Sequence, residues 1–139
     1  MCSSISQIPD NAQYTYKCQG KTLNKSAEEV FGGLHKLLKE ANWLIISYID
    51  LKEIFSKMQK EIEPYYILDV CFPPAAAELV KDNEDIGAFI PCKVVLIQHG
   101  NTTKILMPKP SVLSKEYLDT DGKVAEKYET TLMGMLDKL

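Results

Sequence analysis

This 139-residue sequence carries no overall excess of positive charge. Its 16 lysines and arginines are outnumbered by 19 aspartates and glutamates, giving a net charge of −3. A basic footprint for nucleic acid or for an anionic membrane surface is therefore missing. The N-terminus, Met1-Cys2-Ser3-Ser4-Ile5-Ser6-Gln7-Ile8-Pro9, has no basic region followed by an apolar one, so a secretory signal is not expected. The longest apolar runs are strand-sized, far short of the roughly 20 residues that span a bilayer. A cytoplasmic protein is the expectation, and there Asn101-Thr102-Thr103 reads as a turn rather than a glycosylation site.

The four cysteines, Cys2, Cys18, Cys71 and Cys92, form no C-x-x-C pair. His35 and His99 stand far from them in sequence, so no metal site is expected. In a reducing compartment free thiols are the default. The sequence also lacks a Gly-x-Gly-x-x-Gly run, a phosphate loop and a His-Glu-x-x-His helix, and nothing in it implies a cofactor. Repeats and low-complexity segments are absent too.

What is present is an ordinary globular mix: 45% hydrophobic, 25% charged and 9% aromatic residues. The length suits one domain that buries about two-thirds of its unfolded surface. Residues 1–11 read as a flexible tail and 12–139 as the domain. Alternation predicts a strand at Gln13 to Cys18, followed by a polar stretch from Gly20 to Lys25. Ser26-Ala27-Glu28-Glu29 is a capping box opening a helix with the apolar stripe Ala27, Val30, Phe31, Leu34, Leu38 and Ala41. The Gly32-Gly33 pair inside that helix suggests a close approach to a sheet.

Trp43 to Ile49 predicts a second strand, too apolar on both faces for a solvated edge. Asp50-Leu51-Lys52-Glu53 opens a second helix that runs through Ile62 and stops at Pro64. Tyr65 to Cys71 is a third strand, and Pro73-Pro74 opens a short helix to Lys81. Cys92 to Gln98 and Thr102 to Met107 read as a hairpin around Gly100-Asn101. Ser111 to Leu118 has room for one or two helical turns. Lys123 to Leu139 predicts a final helix with the stripe Val124, Tyr128, Leu132, Met135 and Leu139. The sum is an α+β domain: about five mostly antiparallel strands in one sheet, with helices packed against it.

Cys71 is the most informative candidate. It ends a strand just before a helix start, where unpaired N–H groups and the helix dipole favour a thiolate or a bound anion. Asp69, two residues earlier on the same face and about 7 Å away by strand rise, opposes that thiolate or serves as a base. The alternative is a small apolar residue packed under the helix. Cys92 opens its strand among core-like neighbours. Parallel strands would set Cys71 and Cys92 about 20 Å apart; antiparallel neighbours would bring both to one end of the sheet, where they could meet.

The runs Tyr66-Ile67-Leu68-Asp69-Val70-Cys71-Phe72-Pro73-Pro74-Ala75 and Asp85-Ile86-Gly87-Ala88-Phe89-Ile90-Pro91-Cys92-Lys93-Val94-Val95 resemble a known family. It is the bacterial and archaeal domain-of-unknown-function family three hundred and two, and the likeness extends from about Tyr14 to Leu139. Asp69 stands where its pattern has glycine, and Phe72 and Lys93 where it has asparagine. The resemblance implies a compact α+β homodimer with no established activity.

Two functions follow as expectations. One is a non-catalytic homodimer that binds a small molecule or a partner protein. The other is a thiol protein, a sulfur carrier or redox sensor, using Cys71 with Cys92 as a possible partner.

Overall fold

The computed structural model describes residues 18–139. Its strands are β1 (Cys18–Leu23), β2 (Leu44–Asp50), β3 (Tyr65–Cys71), β4 (Cys92–His99) and β5 (Thr102–Pro108). They form one sheet in the order β1-β5-β4-β3-β2, and every neighbouring pair is antiparallel. The helices are α1 (Ala27–Glu40), α2 (Leu51–Ser56), α3 (Pro73–Asp82), α4 (Pro110–Tyr117) and α5 (Lys123–Leu136). The α+β expectation is met.

Directly opposed residues in an antiparallel pair share a face, so the register sorts the sheet. Leu68 opposes Val94, Val70 opposes Cys92, and Leu96 opposes both Tyr66 and Ile105. On this inner face Leu68, Val70, Val94, Leu96, Ile105 and Met107 are at most 1% exposed. The stripes of α1 (Val30, Leu34, Leu38) and α5 (Leu132, Met135, Leu136) cover them in one core. Burying each such side chain contributes about 1.5–3 kcal/mol.

Helix α1 begins where the sequence places it. The Ser26 hydroxyl accepts from the Glu29 amide at 3.2 Å, and the Gln98 side chain accepts from the Ala27 amide at 2.8 Å. Its end is a Schellman turn: Asn42 adopts φ 61°, and the Trp43 amide donates to the Leu38 carbonyl at 2.8 Å. The β4–β5 reversal puts Gly100 at φ 59°, as a two-residue turn with glycine first requires.

Five expectations are corrected. The first described strand is Cys18–Leu23, so the predicted end at Cys18 is too early and the polar stretch from Gly20 is partly strand. Polar residues are tolerated there because β1 is a sheet edge. Residues 1–11 and Gln13 to Lys17 lie outside the described residues.

Strand β2 is the other edge, not an interior strand; Leu44, Ile46, Tyr48 and Ile49 are 41–58% exposed. Helix α2 ends at Ser56, because Gln59 turns left-handed at φ 58° and the Lys60 amide returns to the Phe55 carbonyl. The buried stripe of α5 includes Ala125 and Glu129 rather than Tyr128 and Val124. The tight contact at Gly33 is with Leu139, 3.1 Å from where a Cβ would sit, and not with the sheet.

Candidate functional site

Strands β3 and β4 run antiparallel with Val70 opposite Cys92, so Cys71 and Cys92 come to the same end of the sheet. Strand alternation turns them to opposite faces: Cys92 packs against the core with Val70, while Cys71 faces outward beside Leu44 of β2. Both are free thiols. Burial pushes the Cys71 thiol up from its ordinary value. It pushes Cys92 up to about 11, with the charges of Cys71 and Glu129 adding to the shift. The helix start at Pro73 is present as expected.

Asp69 lies on the outer face with Cys71. Burial alone would raise its carboxyl, but hydrogen bonds from Lys93 and Ser47 and the Lys93 charge hold it below the usual range. The Ser47 hydroxyl donates at 2.9 Å, and the Lys93 ammonium donates to the other oxygen. Asp69 is thus a satisfied anion tied to its cross-strand neighbours. On the inner side, Trp43 stacks on Phe72 at 5.4 Å. With Cys71, Leu79, Cys92 and Tyr128 these rings wall an apolar crevice of about 30 Å³, to which both candidate cysteines contribute, space for a water but not for a metabolite. Among the described residues no group of three metal-ligating side chains occurs, and no helix is long and apolar enough to cross a membrane.

The outer face is the larger feature. Ile49, Ile67, Val95 and Leu106 oppose one another in turn across β2, β3, β4 and β5, forming one apolar row. Tyr65 and Ile97 form a second pair beside it, and Ser47, Asp69 and Lys93 a polar row on the other flank. None of these apolar residues belongs to a described core cluster. Apolar residues on both faces of β2 lead the sequence to predict cover for both; among the described residues only one face of the sheet is covered.

A second cavity, of about 290 Å³, opens at the β2 edge on the helical side, lined by Glu28, Phe31, Gly32, Tyr48 and Tyr66. A bulge creates it. The β2–β3 register slips between Ile45 and Ser47, leaving Ile46 as an extra residue. Without that slip Tyr48 would share the outer face with Leu44; with it, Tyr48 opposes Leu68 and turns toward α1. In the sequence Glu28 reads as part of a capping box. The signal that could have marked the site is a glycine and a glutamate, Gly32 and Glu28, one helical turn apart on a face shared with Phe31.

A crystal structure described as that of an uncharacterized conserved protein DUF302 from Bacillus stearothermophilus has this fold, with a TM-score of 0.81. The two are 28% identical over 88% of this chain and 98% of that one. No curated protein matches the chain. The family described as "Domain of unknown function DUF302" matches residues 19–139, nearly every residue of the sheet and its helices, and the chain belongs to that family.

Proposed function

We propose that this domain is a cytoplasmic, non-catalytic homodimer that holds a small molecule, with the two copies joined through the open face of the sheet. The observation that carries the reading is the apolar row Ile49–Ile67–Val95–Leu106, which has no covering layer among the described residues. A sheet apolar on both faces calls for a second layer on each. A second copy supplies that layer with a surface of the same kind.

The polar row supports self-pairing. A two-fold interface needs a patch that complements itself, and Asp69 and Lys93 put an anion and a cation side by side on this face. A two-fold axis close to them lets each copy's lysine meet the other's aspartate. Binding is favoured over chemistry because burial pushes both thiols away from the thiolate form. The free thiols also suit a reducing compartment.

Light scattering at micromolar concentration tests the dimer. The expected mass is twice the 15.7 kDa of one chain; the mass of a single chain across the range removes the reading.

A further inference from the structure

We propose that the cavity walled by Phe31, Tyr48 and Tyr66 binds a small organic cation of the methylated or quaternary ammonium class. This names the ligand for the small-molecule role above and rests on that reading. Three elements contribute one ring each: Phe31 from α1, Tyr48 from β2 and Tyr66 from β3. The centroids lie 5.0 Å apart for Phe31 and Tyr48, 5.3 Å for Phe31 and Tyr66, and 6.4 Å for Tyr48 and Tyr66. The interplanar angles are 78°, 67° and 62°. At these distances and angles the three rings are in edge-to-face contact with one another, and all three line the same open cavity. An aromatic face is electron-rich, and a desolvated cation among several faces is attracted to each.

Charge around the box has one sign. Glu28 lines it, and the carboxylates of Glu28 and Asp50 lie close enough to hinder ionisation of the Tyr66 hydroxyl, after burial itself. Among the described lining residues none is basic, so no side chain there acts as the guest. The floor is open because position 32 is glycine: a Cβ built there meets nothing within 4 Å. A negatively flanked aromatic box of about 290 Å³ exceeds what one water needs and approaches the lower size of small-molecule sites. An anion would meet Glu28 and the ring faces with the wrong sign. A neutral apolar guest would gain nothing from the carboxylates.

The test titrates isotope-labelled full-length protein with choline and with 3,3-dimethylbutan-1-ol, its uncharged carbon isostere. Amide spectra follow the binding, and Gly32 is the local reporter. Choline is expected to shift Gly32 and to bind about tenfold more tightly than the alcohol. A Cβ at position 32 meets nothing within 4 Å and leucine improves helix propensity, so Gly32→Leu should fold normally, occupy the cavity and abolish the choline-induced shifts of the neighbouring amides. Tyr48→Ala, at an exposed edge position, should weaken choline about tenfold, and Glu28→Gln about twofold to fivefold. Equal binding of choline and the alcohol overturns the cation claim and leaves small-molecule binding standing. Shifts that persist in Gly32→Leu place the ligand elsewhere and overturn the site. No shift with either probe overturns the cation claim and removes this cavity from the binding reading as well.

Discussion

Ile67 and Leu68 are neighbours in β3 and equally apolar, yet Leu68 has no exposed surface while Ile67 points to a face that no core residue covers. The same contrast repeats at Val94 and Val95 in β4 and at Ile105 and Leu106 in β5. On one side, α1 and α5 complete the burial within the chain. On the other, equally apolar side chains have no such cover among the described residues. A strand apolar on both sides predicts two layers, and here the second must come from outside the described residues.

The contrast can be broken from either side. Leu68→Ala removes a side chain from the packed core and should destabilise the chain by about 2–5 kcal/mol, read by thermal or denaturant unfolding. Ile67→Lys, one residue away, should cost the single chain no more than about 1 kcal/mol. Its main effect should be on association, because a desolvated lysine on the joined faces is unpaired; light scattering should then give the mass of one chain. If Ile67→Lys unfolds the protein as severely as Leu68→Ala, the two faces are not different in kind.

The covered side also contains an exception. Glu129 is 4% exposed, and its Oε1 has no hydrogen-bond partner among the described residues. Burial raises its carboxyl, the nearby Glu126 adds to that, and Ser111 and Lys109 only partly offset it. The folded state therefore holds this proton more tightly than the unfolded state, where the group titrates near about 4.3. Its contribution to stability is full below that value and is lost as pH rises through the folded value. Glu129→Gln should remove that loss, raising stability at neutral pH by on the order of 1 kcal/mol and flattening the pH profile of unfolding on the alkaline side of about 4.3. An unchanged profile would mean that the carboxylate is solvated.

The smallest effect concerns the thiols, one on each face. Alkylation resolved by mass spectrometry should be slow at both Cys71 and Cys92 near neutral pH, with Cys92 slower because its thiol is pushed up to about 11. Fast labelling of Cys71 below pH 7 would restore the helix-start thiolate and favour redox or sulfur-carrier chemistry.

Much of the frame was legible in the residues. Ser26 with its apolar stripe marks α1, Pro73-Pro74 marks the start of α3, and Gly100-Asn101 marks the hairpin, because each signal is local. The sequence leaves the pairing of Cys71 with Cys92 open, since a connection of about twenty residues permits either strand direction; the antiparallel register brings them to one end, where both line one crevice although alternation sets them on opposite faces. The edge position of β2 was misread because composition reports that a residue is apolar, not what lies against it. The bulge at Ile46 was invisible for a related reason: one slipped residue reverses the faces of Ser47 and Tyr48, and only pairing with β3 reveals it. The cavity at Glu28, Gly32 and Tyr48 depends on that slip.

The open face can be probed directly with mixed dimers of labelled and unlabelled chains, by isotope-filtered nuclear Overhauser contacts between methyl groups. Ile67, Val95, Ile97 and Leu106 should show contacts to the other chain, and Leu68, Val94 and Leu96 should show none. Intermolecular contacts confined to the helices or to the free edge of β2, with none at Ile67 or Val95, would contradict pairing through the sheet face.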